Sequence, residues 1–335
     1  MRAQRWSITL NVILLLSSST VWSQTQQRER NQQPRLPFGL AGSMTSGARQ
    51  DQRYPKVQVP AVSLTFGTID YPDAPESLAQ AINNKGEIVG WWGTDVVGVA
   101  SPLYGFTLKG GSFKKIVYPG ASITVPSGVN SSGEIVGYYS LDPKNASGDA
   151  FTLVGTTFTS VAYPGAMGTV LTSINKSGQM VGYWVPCYGG GLGCPASGFL
   201  LSAGVFTPIQ PPGAAITQAF GINDTGEIVG TYSTDGHTSH GFTLLGGVYT
   251  TVDYPGATDT YLYGLNNSGQ IVGEYDNATT AQGFLLETGT FTPFAAPWAG
   301  LLATSPFGIN DKGIIVGQTV DENYFSFGFE ATIGK

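Results

Sequence analysis

Arginine is missing from most of this 335-residue chain. From residue 61 to the end there is none, and eight lysines stand against twenty acidic residues in that stretch. Nucleic acids, anionic membranes and phosphate groups are bound through cations, and bidentate phosphate contacts use guanidinium groups in particular. The composition therefore argues against nucleic acid, anionic membranes and phosphate-bearing substrates as partners.

Apolar runs long enough to cross a membrane are missing as well. The run near the N-terminus, from Ile8 to Leu16, is too short to span a bilayer. It follows two arginines and precedes small residues, which is the order found in a secretory signal peptide. We therefore predict that residues 1–23 are a signal peptide cut before Gln24. The mature chain is then expected to be secreted or periplasmic, with no transmembrane segment.

Residues 24–60 contain little that could form a core. They are rich in glutamine, arginine, proline, glycine and serine, with six basic and two acidic residues. Such a segment cannot bury enough apolar surface to offset its chain entropy, so we predict a disordered linker. Residues 61–335 then form the folded domain, whose eight lysines and twenty acidic residues give a net charge of −12.

Cysteine is represented by two residues, Cys187 and Cys194, in a glycine-rich stretch. Their spacing differs from that of a CxxC redox motif, and two cysteines alone cannot complete a structural zinc site. In an exported chain, a nearby pair of this kind indicates a disulfide. We predict that this bond closes a small loop and stabilises the fold by about 2 to 3 kcal/mol.

Histidine is equally rare, which limits metal and acid–base chemistry. His237 and His240, with Asp235 nearby, could hold a transition metal if their loop were rigid. His240 occupies a repeat position that holds other residue types elsewhere, which favours a structural role over a ligand. The sequence also has no Ser, His or Cys constellation typical of nucleophilic catalysis. We expect no metal site, no cofactor and no catalytic residues.

One nine-residue phrase, INxxGxIVG, organises the residues that are present. It occurs six times, with its asparagine at Asn83, Asn130, Asn175, Asn223, Asn266 and Asn310. These asparagines are 47, 45, 48, 43 and 44 residues apart, a period that indicates stacked repeat units. The Asn and the first Gly favour a three-residue hairpin loop with a bulge. The β-branched residues that follow favour a return strand, and its final glycine indicates close packing of another backbone.

Each repeat carries two further strand patterns. One is centred on a Gly-Phe or Ala-Phe pair, at Gly105/Phe106, Ala150/Phe151, Gly198/Phe199, Gly241/Phe242, Gly283/Phe284 and Gly328/Phe329. The other ends in Tyr-Pro-Gly-Ala or its remnant, beginning at Tyr71, Tyr118, Tyr163, Pro211, Tyr254 and Ala296. Proline cannot donate to a strand ladder, so this pattern predicts a short outer strand. Four strands in about 45 residues is the size of a β-propeller blade.

The order of these patterns predicts how the chain ends meet. The first Tyr-Pro strand, Thr65 to Pro72, precedes the first asparagine turn, and only residues 330–335 follow the last Gly-Phe pair. A ring closed by pairing an N-terminal strand with the last three strands requires this offset, whereas an open solenoid does not. We predict an all-β fold, a monomeric six-bladed β-propeller joined near residues 65–70 and 324–333.

Candidate binding residues lie on the return strand and in the loop after it. An aromatic residue stands two positions after IVG in five repeats, at Trp92, Tyr139, Trp184, Tyr232 and Tyr275. These rings could stack on sugars or peptides, or they could fill the wedge between blades as core. Acidic residues that do not recur follow the same strand, at Asp95, Asp142, Asp235, Asp276, Asp321 and Glu322. Because these loops vary most in length, we expect any site there.

The stretch from Gly221 to Leu245, GINDTGEIVGTYSTDGHTSHGFTLL, resembles the HAF repeat family of extracellular repeat proteins in bacteria. Units of that family pair a G-I-N-x-x-G-x-I/V-V-G turn with a His-Ala-Phe strand, which corresponds here to His240/Gly241/Phe242. The resemblance covers residues 65–333, although the histidine is present once and the alanine once, at Ala150. It implies export and a repeat fold, and it brings no catalytic residues.

These observations favour an exported, non-catalytic propeller that binds an extracellular polymer or protein. One alternative is a carbohydrate-active hydrolase or lyase that uses loop carboxylates, and another is a structural or adhesive surface protein. A binding protein predicts an aromatic patch on the loop face. An enzyme predicts a pocket with at least two carboxylates within about 10 Å of each other.

Overall fold

The computed structural model describes residues 63–93, 102–142, 148–187, 195–276, 281–298, 300–322 and 325–334. Every regular element in these ranges is a β-strand, which confirms the predicted all-β class. The predicted signal peptide and linker lie outside the described residues, as do Asp95 and Cys194. Within the same ranges there is no helix that could cross a lipid bilayer.

The strands fall into four sets according to their place in the repeat. The first strands, which lead into the asparagine turns, are β2 (Glu76–Ile82), β6 (Ile123–Val129), β10 (Gly168–Ile174), β14 (Ile216–Ile222), β18 (Asp259–Leu265) and β22 (Leu301–Ile309). The second strands, which return from the turns, are β3 (Ile88–Gly93), β7 (Ile135–Ser140), β11 (Met180–Val185), β15 (Ile228–Ser233), β19 (Ile271–Asp276) and β23 (Ile314–Asp321). The third strands, which carry the Gly-Phe or Ala-Phe pair, are β4 (Leu103–Lys109), β8 (Asp149–Val154), β12 (Ser197–Ser202), β16 (His240–Leu245), β20 (Ala281–Glu287) and β24 (Ser326–Ile333). The fourth strands, which precede the Tyr-Pro positions, are β1 (Leu64–Ile69), β5 (Ser112–Ile116), β9 (Thr157–Val161), β13 (Val205–Ile209), β17 (Val248–Val252) and β21 (Thr290–Phe294).

Antiparallel pairing joins one strand of each set into a four-stranded group. Groups one to five follow the chain, as β2–β5, β6–β9, β10–β13, β14–β17 and β18–β21, and group six combines β22–β24 with β1. In group six, Leu64 pairs with Ile333 and Ile69 pairs with Gly328. The pairing of the N-terminal strand β1 with the last strand, expected from the strand offset, is therefore present.

The hydrogen-bonded sheets are fewer than the groups. There are four, two of four strands and two of eight, and none closes on itself. The eight-stranded sheets arise because single parallel pairs, Leu103 with Ile123 and Ala281 with Ala303, join two groups at each place. The sequence did not predict these two junctions, since one parallel residue pair leaves no periodic pattern.

The asparagine turns have the predicted conformation. In group four, the Gly226 amide donates to the Asn223 carbonyl and the Asn223 amide donates to the Glu227 carbonyl, both at about 3 Å. The Asn223 side-chain Oδ1 accepts from the amides of Thr225 and Glu227 at 3.1 and 3.0 Å. Gly226 adopts a φ of 83°, which glycine tolerates without steric cost. Local turn chemistry thus fixes this hairpin.

The final glycine of the phrase is required by close packing, as predicted. A Cβ at Gly230 would lie 2.1 Å from the Gln218 carbonyl oxygen and 2.8 Å from the ring of Phe242. Phe242 is fully buried. The glycine therefore makes room for the phenylalanine of the third strand beside it, which explains why the two motifs recur together.

Apolar packing connects each group to its neighbours, including the last to the first. At each junction the fully buried valine that precedes the final glycine of the phrase contacts residues of the following group. These valines are Val89, Val136, Val181, Val229, Val272 and Val316. At the last junction Val316 of group six clusters with Ala79 and Ile82 of group one. The core is thus a series of similar interfaces.

Candidate functional site

Each first strand contains a β-bulge at the same place, three residues before the asparagine. The strand register skips one residue there in all six groups. The bulged residues are Gln80, Ser127, Thr172, Phe220, Tyr263 and Phe307. A bulge leaves its extra residue outside the ladder and can aim its side chain in a new direction.

The bulged residues of all six groups line one cavity, which we call the central cavity. Its main part has a volume of about 100 Å³ and is also bordered by the asparagine turns. A deeper part of about 50 Å³ is lined by the bulged residues together with Val170. Residues from every group therefore meet here.

The central cavity has two unlike halves. Groups one to three contribute an amide and two hydroxyls, from Gln80, Ser127 and Thr172, whereas groups four to six contribute three aromatic rings. The ring centroids of Phe220 and Tyr263 lie 5.3 Å apart, as do those of Tyr263 and Phe307, in edge-to-face geometry. The deeper part consequently has a polar wall, an aromatic wall and no charged lining residue among those described.

In the polar half, some hydrogen-bonding groups remain available to a ligand. The Ser127 hydroxyl donates to the Leu171 carbonyl, and the Thr172 hydroxyl donates to the Ala219 carbonyl at 2.8 Å. Both oxygens retain lone pairs that can accept. Gln80 is 8% exposed, and its Nε2 has no hydrogen-bond partner within the described part of the chain. An unsatisfied buried donor is costly, so this amide calls for an acceptor in the cavity.

The asparagine side chains form a cyclic series of hydrogen bonds around the cavity. Each Nδ2 donates to the backbone carbonyl of the asparagine in the next group, from Asn83 to Asn130 at 3.0 Å onward through the series. The last, Asn310, donates to the Asn83 carbonyl at 3.2 Å, which returns the series to its start. We call these six residues the asparagine ring. Each member is 5% exposed or less.

The residues that follow the ring asparagines form a polar rim. They are Asn84, Ser131, Lys176, Asp224, Asn267 and Asp311, and all border the central cavity. Asn267 Nδ2 donates to carboxylate oxygens of both Asp224 and Asp311, at 3.0 and 2.8 Å. Lys176 lies 3.7 Å from Asp224. The two carboxylates are therefore neighbours held by an amide and a cation, and charge at the rim is partly balanced.

The five aromatic residues predicted from the return strand do not lie together. Four of them stack on the tyrosine that ends the preceding group, as Tyr71–Trp92, Tyr118–Tyr139, Tyr163–Trp184 and Tyr254–Tyr275, with centroids 3.5 to 4.9 Å apart and ring planes within 10°. Where a proline replaces that tyrosine, Tyr232 instead lies against His240, with centroids 5.4 Å apart. Each ring belongs to a separate hydrophobic cluster at a group junction.

The stacking predicts a measurable energetic coupling. We expect Tyr254→Leu and Tyr275→Leu each to lower the free energy of unfolding, and a double-mutant cycle to give a coupling of about 0.5 to 1.5 kcal/mol, because the rings lie parallel with centroids 3.7 Å apart. Urea denaturation measures all four proteins. A control cycle of Tyr254→Leu with the distant Phe206→Leu should be additive. Additivity for Tyr254 and Tyr275 as well would show that their stacking contributes no coupling energy.

The predicted site residues Asp235, His237 and His240 form local contacts. Asp235 Oδ1 accepts from the backbone amides of His237 and Thr238 at 2.7 and 2.8 Å, and these bonds hold the pKa of Asp235 well below its usual range. The Nδ1 of His240 lies 3.0 Å from a carboxylate oxygen of Asp253. No arrangement of three His, Cys, Asp or Glu side chains suited to a metal ion occurs among the described residues.

A buried acidic cluster lies at the far end of group five, away from the asparagine turn. Asp259 pairs with Asp276 across β18 and β19, and Tyr261 pairs with Glu274. Glu274 is fully buried and Asp276 is 6% exposed. Burial, together with the negative charges of Glu274 and Asp259, raises the pKa of Asp276 to about 8. Of these three acids, the sequence singled out Asp276 alone.

Of the two cysteines in the predicted disulfide, one lies within the described residues. Cys187 follows β11 at the end of the described range 148–187, and Cys194 lies outside the described residues. The disulfide between them stays a prediction.

The sequence did not predict the contacts that three sets of residues make. The turn alone does not require asparagine, because Asp and Ser also suit such a turn. An amide in all six copies was therefore a signal for a second role of the Asn side chain. The tyrosine partners also left a signal, because the repeat that lacks the aromatic, at Thr319, follows the one in which Ala296 replaces tyrosine. The bulged residues left none, since the bulge displaces them from the strand alternation.

Comparisons with known proteins give a fold likeness alone. No protein-family model matches the chain, and no curated protein matches it. Among solved structures, it is similar to the β-propeller domain of the Trilobed protease from Pyrococcus furiosus, with 8% identity, a TM-score of 0.47 and coverage of 76% of this chain and 95% of that one. It is also similar to the Aleuria aurantia lectin, with 11% identity, a TM-score of 0.47 and coverage of 78% and 93%. A third is a calcium-binding protein, regucalcin, from Agrobacterium tumefaciens, with 12% identity, a TM-score of 0.47 and coverage of 79% and 92%. With TM-scores below 0.5, these likenesses carry no argument about what this chain binds.

Proposed function

We propose that this chain is an exported, six-bladed β-propeller that binds an extracellular polymer or protein without turning it over. Each four-stranded group is one blade, and the first strands surround the central cavity. Export is inferred from the signal-like residues 1–23 and from the resemblance to HAF repeats.

Three features support a closed ring. β1 pairs with β24 over six residues on each strand. The asparagine ring returns to its starting residue through the bond from Asn310 to Asn83. Val316 of the last group packs with Ala79 of the first. A spiral of repeats would leave the first and last asparagines apart, so all three features point to closure.

The convergence of six bulged side chains on the central cavity carries the binding proposal. Six repeats of similar sequence place amide, hydroxyl and aromatic groups at this one inward position. A purely structural core would be filled by apolar side chains, whereas this cavity contains a buried amide donor with no partner in the described residues. A concave site with an apolar wall and a few placed polar groups is the usual form of a ligand site.

A glycan and peptide array tests binding. Purified protein comprising residues 24–335 is expected to be retained on a restricted set of features, and Phe220→Ala is expected to lower retention about tenfold because one face of the site is lost. The matched control is Phe158→Ala, the same change in a partly buried ring at the junction of groups one and two. A blank array, or equal retention by the Phe220 variant, would refute a binding role for the cavity.

The buried acidic cluster supports one alternative, a carbohydrate-active enzyme. A carboxyl group with a pKa near 8 is protonated at neutral pH and could serve as a general acid. This alternative predicts the release of sugar products from a bound polysaccharide, with release abolished in Asp276→Asn. Release of products by the unaltered protein would replace the non-catalytic proposal with this one.

A further inference from the structure

The chemistry of the central cavity indicates the class of ligand that it would take. We infer that it binds one neutral, polyhydroxylated ring of the pyranose type, either free or at the end of a chain. This inference rests on the proposed binding function and on the cavity as its site. It deepens the proposal because it names the ligand class.

The polar half requires a ligand that both donates and accepts hydrogen bonds. Gln80 Nε2 offers a proton and needs an acceptor. Ser127 and Thr172 have already donated their hydroxyl protons to backbone carbonyls, so their oxygens are left to accept. A hydroxyl group satisfies both needs, because one oxygen can accept from the amide and donate to a neighbouring oxygen. A carboxylate or a carbonyl could meet the first need alone.

The aromatic half requires an apolar face on the same small ligand. Phe220, Tyr263 and Phe307 form a continuous wall opposite the polar residues. Ligands that carry hydroxyls on their edge and C–H groups on their face can contact both walls at once, and a pyranose ring is such a ligand. A linear polar peptide would leave one of the walls uncovered.

Size and charge narrow the class further. The two parts of the cavity measure about 100 and 50 Å³, less than the roughly 300 to 1,000 Å³ of pockets that hold drug-sized ligands. One ring fits better than an oligosaccharide. The deeper lining is uncharged among the described residues, so a charged group that reached it would lose hydration without a partner, whereas Lys176, Asp224 and Asp311 lie at the rim of the main part. We therefore expect neutral sugars to bind better than uronic acids or amino sugars.

Ligand-observed NMR and calorimetry with purified residues 24–335 test the inference. The probes are methyl pyranosides of glucose, galactose and mannose at millimolar concentrations, each with the uronate and the amino sugar of the same configuration as charged counterparts. At least one neutral pyranoside is expected to bind, and the charged sugar of the same ring configuration is expected to bind at least about tenfold more weakly.

Two variants assign the binding to the cavity. Gln80→Leu should weaken the pyranoside about tenfold because the donor is lost. It should not lower the thermal midpoint, since it also removes an unsatisfied buried N–H group. The matched control, Gln210→Leu, makes the same change at an exposed residue that lies outside the central cavity and should leave binding unchanged.

The outcomes separate this inference from the binding proposal. If the protein is retained on the array but binds no pyranoside, the proposed function stands and the inference is overturned. Pyranoside binding that Gln80→Leu leaves unchanged would also overturn it, because the sugar would then bind elsewhere. A blank array together with no pyranoside binding would remove both, and the cavity would then hold water alone.

Discussion

Asn175→Ala is expected to lower the free energy of unfolding by about 3 kcal/mol. The Oδ1 of Asn175 accepts from the amides of Ser177 and Gln179, both at 3.0 Å, and its Nδ2 donates to the Asn223 carbonyl at 3.1 Å. Asn175 is 3% exposed, so most of these partners would lose their bonds without gaining water. Each buried polar group left unsatisfied costs roughly 1 to 3 kcal/mol. Urea denaturation of residues 24–335 measures the change.

Asn175→Asp separates the turn from the asparagine ring. An aspartate keeps the acceptor for both turn amides, and Asp suits such turns as well as Asn does. Its carboxylate cannot donate to the Asn223 carbonyl, however, and would place a negative charge beside that oxygen. We expect a loss at neutral pH at least as large as that of Asn175→Ala. If Asn175→Asp matches the unaltered protein, the contact between groups contributes nothing.

A control in the same turn fixes the scale of these losses. Ser177 is exposed and takes part through its backbone amide. Ser177→Ala removes its hydroxyl and leaves that amide bond intact, so it should change the free energy of unfolding by less than about 0.5 kcal/mol. A larger loss would mean that the whole turn, and not the ring asparagine, is sensitive to substitution.

The turns, the strands and the pairing of the chain ends could be predicted from the sequence. The Asn-x-x-Gly phrase determines its own hairpin, as the bonds around Asn223 and Gly226 demonstrate. The offset of one strand between the N- and C-terminal patterns predicted the pairing of Leu64–Ile69 with the last strand. These features depend on neighbouring residues or on counting, both of which one sequence contains.

The candidate site was not predictable in the same way. Gln80 and Phe220 occupy equivalent bulges, but a bulge breaks the alternation by which a sequence indicates which side chains face inward. The sequence also left open whether the aromatic residues of the return strand form a loop-face patch or pack as core between groups. Whether Tyr275 is exposed depends on Tyr254, which precedes it by 21 residues and reaches it only once the groups are packed. Side chains that meet across groups are set by tertiary packing.

The folded domain is expected to be less stable at pH 8 than at pH 5, by several kcal/mol. Burial and the charges of Glu274 and Asp259 raise the pKa of Asp276 to about 8, and burial raises that of Glu76 to about 7. In the unfolded chain both carboxyls titrate near pH 4. Between these values the folded protein keeps protons that the unfolded chain has released. Stability is therefore highest below pH 4 with respect to these groups. It falls as the pH rises from 4 to about 7 for Glu76 and to about 8 for Asp276, and the fall ends above those folded-state pKa values.

The magnitude of the fall follows from proton linkage. Each group that is protonated in the folded state and ionised in the unfolded state lowers the free energy of unfolding by about 1.4 kcal/mol per pH unit. Asp276 is the last residue of β19 in group five and Glu76 is the first residue of β2 in group one, so their contributions should add. Urea denaturation at several pH values from 5 to 8.5 gives the slope directly.

Asp276→Asn tests whether the acidic cluster causes this dependence. The amide has nearly the shape of the protonated carboxyl and cannot ionise beside Glu274 and Asp259, which face it from β19 and β18. The variant should be close to the unaltered protein at pH 5 and more stable than it at pH 8, with a slope reduced by about 1.4 kcal/mol per pH unit. The exposed Asp70→Asn should leave the slope as it is. A slope that Asp276→Asn does not change would mean that this carboxyl is ionised in the folded protein at neutral pH, which would also remove it as the general acid of the enzymatic alternative.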